Sequence, residues 1–363
     1  MKRIFIAIFT FFVFVGAHAA QVANVEYIHN LIERNWGIEL PYNPELQNVK
    51  AVANMKYLLT AVDAANEILN NNKTTDYGNG EYATTQAADT TVVIQAVDTL
   101  VKKAEKNYFI ITTTPDTTDF SFKISAAGNF VIDWGDGKTQ NIAKENTTDT
   151  PYSHNYQIAD EYKIKITGRA SAYSEAANTA AVSFEYNNNI AKIDGFVGTV
   201  FGTLDNGSQP SFYATFADCK NLTSISDNLF DGVYGQPISD MFYATFDGCS
   251  SLKQIPDYLF AGLKGTLTAG LFYKTFHNCS SLSTIPTYLF GELSGDLQSK
   301  TFSNMFKGCV NLSGLSAKIL SADKSFMQFL YTRWTGGNSL TVADMYNGCT
   351  GLTDYEDIPT TWK

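Results

Sequence analysis

Apolar residues fall in short, dense patches along the second half of the chain, with polar residues between them. In "MFYATFDGCSSLKQIPDYLFAGL" (residues 241–263) the apolar set is Phe242, Phe246, Cys249, Leu252, Ile255, Leu259 and Phe260. Phe242 and Phe246, at i and i+4, predict a helical turn; Leu252 and Ile255 in "SLKQI" predict a short parallel strand; Pro256 with "DYLFAGL" predicts a second helical turn, which Gly262 and Gly265 break. One such patch is too small to be a domain, so it must bury its apolar face against something else.

The partner is legible in the copies on either side. "SFYATFADCKNLTSISDNLFDGV" starts at Ser211, "LFYKTFHNCSSLSTIPTYLFGEL" at Leu271 and "TFSNMFKGCVNLSGL" at Thr301. All the cysteines occupy one point of this pattern, Cys219, Cys249, Cys279, Cys309 and Cys349, at spacings of 30, 30, 30 and 40. The longer interval reads as an insertion within "ADKSFMQFLYTRWTGGNSL". An eroded copy precedes them, since Phe184, Asn187, Asn189, Ile190 and Ile193 match Phe216, Cys219, Asn221, Leu222 and Ile225 at an offset of 32. Periods of about 20–50 residues indicate stacked units, because each repeat has one apolar face that only a neighbouring copy covers. Burial of each Phe or Leu contributes roughly 1.5–3 kcal/mol, against an ordering cost of about 1–2 kcal/mol per residue.

The "FxGCxSLxxIP" core and its spacing resemble the BspA-like leucine-rich repeats of bacterial surface proteins, over residues 180 to 363. The resemblance implies a C-terminal α/β leucine-rich-repeat-like solenoid and a role in adhesion. It also implies that the Cys column, with Asn187 in the first copy, closes a turn inside each coil. The 30-residue period and the second apolar block depart from the usual pattern, so the binding surface of other members does not transfer.

Ahead of the repeats the alternation changes. "FSFKISAAGNFVIDWGDGKTQNI" and "PYSHNYQIADEYKIKITG" alternate with period two between turn residues and predict a small β-sandwich. Trp134, Gly135, Asp136 and Gly137, then His154 and Tyr156, then "YKIKITG" resemble the fingerprint of a PKD-type domain. The span is short for a full sandwich, so strands are missing or the sheet joins the first repeat. From Val22 to Lys106 the apolar spacing is helical, as in Val93, Val97, Leu100 and Val101. The expected chain is therefore multidomain: a leader at 1–19, a helical region at 20–106, a PKD-like β-sandwich at 107–178 and the α/β solenoid at 179–363.

The leader reading rests on Lys2 and Arg3, an apolar run from Ile4 to Val15, and Ala17-His18-Ala19, which together form a secretory signal peptide cleaved after Ala19. A retained anchor is the rival reading, disfavoured because the run is shorter than the roughly 20 residues a span needs. No Cys follows the cleavage point, so a lipid anchor is not expected. The mature protein is expected to be secreted or at the cell surface, without a membrane span.

Charge narrows the partners. Loss of Lys2 and Arg3 takes the basic count from 26 to 24 against 36 acidic residues, moving the net charge from -10 to -12. That balance disfavours nucleic acid, whose binding needs a basic footprint, and leaves a protein or a glycan as the expected ligand. Tyr213, Tyr243 and Tyr273 form one column and Tyr258 and Tyr288 part of another, after Asn228. Such aromatic rows either hold a glycan or an extended peptide, or seal the margin of the core.

Enzyme chemistry finds little in the chain. Apart from His18, the histidines are His29, His154 and His277, and none recurs in neighbouring copies. No HExxH, GxSxG, CxxC or phosphate-cradling loop is present. Asp227 and Asp257 share a column that continues as Thr287, which reads as a solvated rim. Binding or display is the leading class; a secreted carbohydrate-active or proteolytic enzyme and a structural spacer are the alternatives. The cysteines read as buried thiols, with bridging or metal as lesser readings. No cofactor is expected; Asp133 and Asp136 raise calcium, against a simple turn set by Asp136-Gly137.

Overall fold

The computed structural model describes residues 108–227, 229–321 and 327–363. The expected leader and helical region lie outside these residues, as does Asn228. Asn107–Lys363 form one compact unit.

The first part is built from two sheets. Strands β1 (Tyr108–Thr113), β2 (Thr117–Ile124), β3 (Ala127–Asp133), β4 (Thr139–Lys144), β5 (Thr150–Asp160), β6 (Lys163–Ala172), β7 (Val182–Ser183), β8 (Ile190–Gly195) and β9 (Ser224–Ile225) follow in order. Six of them pair as β4-β3-β6-β1-β8-β9 and three as β5-β2-β7. Alternation drives the layering: Phe120, Phe122 and Ile124 of β2 are buried while Asp119, Ser121 and Lys123 face water. Phe122 packs on Trp134 at 6.0 Å and on Phe184 at 5.1 Å, and Phe109 of β1 meets Phe184 edge-on at 6.1 Å.

The sheet does not stop at residue 178. β8 belongs to the eroded copy, yet it pairs antiparallel with β1 (Ile111 opposite Ile193) and parallel with β9 of the next copy (Ile193 opposite Ile225). One strand thus joins the sandwich to the repeats.

Each repeat forms one layer, and equivalent residues lie one above another. Phe184, Phe216, Phe246, Phe276 and Phe306 stack at 5.4, 5.4, 5.4 and 5.7 Å, and Tyr346 continues the column at 6.0 Å. Phe212, Phe242, Phe272 and Phe302 form a second column at 5.6, 5.9 and 5.6 Å. Phe230, Phe260 and Phe290 form a third at 5.8 and 6.2 Å. Offset stacking at such spacings is favourable beyond the area it buries.

The expected α/β leucine-rich-repeat-like solenoid is not what forms. The described chain is mostly β, its strands divide among several sheets, and these sheets do not close into a solenoid. Strands β10 (Phe260–Thr266) and β11 (Phe290–Ser294) make a two-stranded parallel sheet, and β12 (Lys318–Leu320), just before the insertion, pairs antiparallel with β13 (Met327–Phe329) within it. The "YLFAGL" block, expected as a helical turn, is therefore largely strand. α-Helix among the described residues is limited to α1 (Val197–Val200) and α2 (Leu330–Arg333).

The Phe242–Phe246 segment is not helical either. It is a run of linked turns in which φ is positive at every fourth residue: Asp240, Ala244 and Gly248, then Gly270, Lys274 and Asn278 in the next layer. Backbone N–H groups alternate in use. Those of Thr215, Ala217 and Cys219 close local turns, onto Phe212, Ala214 and Phe216 O at 3.2, 3.1 and 3.2 Å. Those of Phe212, Ala214, Phe216 and Asp218 reach the next layer, onto Met241, Tyr243, Thr245 and Asp247 O at 2.7, 2.8, 2.8 and 2.6 Å. Left-handed residues cost energy for L-amino acids, and this complete pairing of donors offsets it.

Both ends of the stack are covered. At the start, β2 pairs with β5 on one side, but on its β7 side no strand lies beside Asp119 and Ser121, and the side-chain amides of Asn189 and Asn187 donate to those carbonyls, both at 2.9 Å. At the far end, Tyr346 N–H donates to Trp362 O at 2.7 Å, and the Trp362 ring is buried. Among the described residues no helix is long and apolar enough to cross a membrane.

Candidate functional site

The five cysteines are all buried and unbridged. Each thiol donates to the backbone carbonyl of the Phe in the layer before: Cys219 to Phe184 at 3.2 Å, Cys249 to Phe216 at 3.0 Å, Cys279 to Phe246 at 3.0 Å, Cys309 to Phe276 at 2.9 Å and Cys349 to Phe306 at 3.0 Å. Burial pushes the thiols of Cys219 and Cys349 up to about 12, and those of Cys249, Cys279 and Cys309 well above their ordinary value. Thiolate is the reactive form, so this column is a set of structural hydrogen bonds. Asn187 holds the same position in the first layer, where the acceptor is Ser121 O of β2.

A parallel column of hydroxyls was not anticipated from the sequence. Thr245 and Thr275 donate to Phe212 O and Phe242 O, both at 2.9 Å. Thr215 has the same place but no partner, and the corresponding carbonyl, Ala180 O, accepts from Ser125 Oγ.

The "WGDG" turn gathers its fingerprint residues into one cluster. Asp136 Oδ2 lies 2.9 Å from His154 Nε2 and 3.2 Å from Lys138 Nζ, while its Oδ1 accepts from Lys138 N–H at 3.1 Å. Burial raises the Asp136 carboxyl, but the hydrogen bonds from His154 and Lys138 outweigh it and hold the group at about 2. His154 stacks on Trp134 at 5.0 Å, and Tyr156, its hydroxyl on Trp134 O at 2.8 Å, meets His154 edge-on. Gly135 has φ +82° and no room for a side chain, since a Cβ would meet Lys163 N and O at 2.9 Å. Asp133 Oδ1 accepts from Gly135 N–H at 3.0 Å. The carboxylates raised for calcium are thus engaged in closing the turn, and no group of three or more His, Cys, Asp or Glu among the described residues could hold a metal.

The tyrosine columns lie outside the main core. Tyr213, Tyr243 and Tyr273 are half-buried; Tyr213 stacks on Tyr243 at 4.5 Å, Tyr243 meets Tyr273 at 4.6 Å with the rings tilted by 37°, and Tyr213 and Tyr243 cover a separate small cluster of Ala214, Ala217 and Ala244. Burial raises the phenols of Tyr213 and Tyr243. Stacking uses the ring faces between neighbours, and the Tyr213 and Tyr243 hydroxyls are hydrogen-bonded to each other. Tyr258 and Tyr288 form a second pair at 5.3 Å. No family model, no curated protein and no solved structure gives a significant match to this chain.

Charged residues beside the row complete the site. Lys274 and Lys300 place their ammonium groups 5.6 and 5.3 Å from the Tyr273 ring centre. Asp240 lies over Gly270 on the Tyr243 side, its carboxyl raised by burial and partly drawn back by Lys300. Asp240 and Lys300 share one column, with Gly270 between them, and Lys274 follows Ala214 and Ala244 in another, so no residue type repeats to mark them. His277, which no other copy of the repeat matches, faces Asp247 of the preceding layer with Nδ1 and Oδ1 2.7 Å apart. A buried carboxylate, Asp354, accepts from Ser316 N–H at 2.9 Å and Ser316 Oγ–H at 2.6 Å in the final layer. It is neighbour to Tyr331 and supports the insertion.

Proposed function

We infer that this chain is an exported interaction protein that engages a protein or glycan through the outer face of its stacked layers. The observation that carries the reading is the Tyr213–Tyr243–Tyr273 row, an aromatic file of half-buried rings placed outside the main core. The resemblance of the "FxGCxSLxxIP" repeat to BspA-like surface proteins, of the "WGDG" segment to PKD-type domains, and the leader-like start support export and adhesion by analogy alone.

The competing reading is that the row only seals the layers, and the close stacking of the rings favours it. Glycan and host-matrix arrays probed with the exported chain, followed by Tyr243→Ala and Tyr273→Ala, separate the two. Binding lost at unchanged melting temperature supports an interaction face. A large fall in melting temperature with any array signal retained assigns the row to packing.

A further inference from the structure

The two sandwich sheets treat their edges differently. Beyond β7 the bonding passes into the layers through Phe184 N–H to Thr215 O, and beyond β9 through Lys253 N–H to Thr223 O. The remaining outer strands are β4 and β5. β4 is guarded, because Lys144 turns inward and its ammonium donates to Asn146 O and Oδ1 at 2.7 and 2.8 Å; an inward charge discourages pairing from outside. β5 has no such guard from Tyr152 to Tyr156. The amides of Asn187 and Asn189 reach Ser121 O and Asp119 O on the β7 side of β2, so Phe120 and Phe122 direct their backbone groups toward β5. Phe120 is level with His154 and Phe122 with Tyr152, which leaves the N–H and C=O groups of Ser153 and Asn155 pointing away from the sheet. Among the described residues nothing bonds them. The open stretch is bounded on both sides. Pro151 has no N–H to offer, and past Tyr156 the strand bulges, so that Thr117 is level with Asp160 while Asp119 is level with Asn155. The Tyr162 hydroxyl donates to Ile158 O at 2.6 Å and pins this bulge, with Ile158 left 71% exposed beside the edge.

We propose that β5 pairs with β5 of a second copy of this chain, antiparallel about a twofold axis at His154, so that the two three-stranded sheets run on as one. A twofold there sets Ser153 against Asn155 of the second copy and Asn155 against Ser153, each pair exchanging both N–H···O bonds. The four side chains are exposed on the outer face and meet as neutral hydrogen-bonding pairs. Thr150 and Pro151 of the second copy arrive on the side where Ile158 stands uncovered. Charge favours a copy of the same strand: Thr150–Gln157 carries no Asp, Glu, Lys or Arg in a chain of net charge -10, so like strands meet here without the repulsion that acidic surfaces impose. The stretch offers a foreign strand no charge to read, whereas under the twofold it complements itself. An isologous contact of this kind closes at two copies, and its small extent makes a weak, reversible dimer.

The test is sedimentation equilibrium of the full chain over a concentration series, with hydrogen exchange of segment 151–157 followed at both ends of the series. A reversible dimer is expected, with the Ser153 and Asn155 amides protected only at high concentration. Ser153→Lys/Asn155→Lys sets lysine against lysine across the axis, and should weaken the dimer about tenfold or more at unchanged melting temperature, because these side chains face water. Ser153→Asp/Asn155→Asp should do the same, and an equal mixture of the two variants should dimerise again. A chain that stays monomeric overturns the proposal. Protection of 151–157 at every dilution also overturns it, since the edge is then covered within one chain. So does a dimer that neither variant weakens, or a mixture of the variants that fails to restore association.

Discussion

Single residues in this protein are defined by what lies one layer away. Each Cys thiol sits against a Phe carbonyl of the preceding layer, which explains a file of cysteines that neither bridge nor meet solvent. With the thiols of Cys219 and Cys349 pushed up to about 12 by burial, the native chain should resist an aqueous thiol reagent, and all five cysteines should react once denaturant is added; fast labelling of the native chain contradicts the assignment. Cys279→Val removes one donor and adds a branch in a closed core, and a thermal melt should register a loss of about 1–3 kcal/mol. Asp136 carries the pH dependence. Its folded value of about 2 lies below its ordinary 3.8, so its contribution is fully present above the ordinary value and is lost as pH falls through the folded one. Denaturant titrations between neutral pH and pH 2 should show that acid limb, and Asp136→Asn should flatten it.

At the scale of elements, the sequence carried the repeat more faithfully than the shape of each piece. Spacing identified the residues that face one another, from Phe242 beneath Phe272 to Cys249 beside Phe216 O. It did not reveal the conformation between them. Apolar residues at i and i+4 are the mark of a helix, yet a run of turns with a left-handed residue in every fourth place has the same period, and Ala244 and Lys274 carry no side-chain signal for positive φ. The column Asp218, Gly248, Asn278, Gly308 and Gly348 does hint at it, since Gly, Asn and Asp tolerate left-handed backbone. Gly262 was equally ambiguous: it reads as a helix breaker, but it lies within β10, where a Cβ would run into the Val233 carbonyl oxygen of the layer before. Gly262→Ala should therefore cost about 1–3 kcal/mol or more, whereas a helix-stop role would make the change neutral or stabilising; chemical denaturation decides. The tyrosine columns were visible in the sequence, but their lysine and aspartate neighbours were not, because the Asp240–Gly270–Lys300 column changes residue type at every layer and Lys274 stands in another column with Ala214, Ala244 and Asn304.

For the molecule from Tyr108 onward, the decisive element is β8, hydrogen-bonded to β1 on one side and β9 on the other. The expected boundary near residue 179 cuts through this pairing, and it also removes β7 from β2. A fragment ending at 178 should leave the inner edges of β1 and β2 unpaired and show little amide protection, while 107–363 should exchange slowly in both sheets. Protection of the short fragment would make the sandwich autonomous. The stacking also has a mechanical side. Because the bonds between layers lie along the axis of the pile, a pull on its two ends loads them by peeling rather than by shear. Layers should then let go singly, each paying out the thirty residues between successive cysteines, or roughly 100 Å of slack chain, so that a tether stretched in flow lengthens in even steps before it fails.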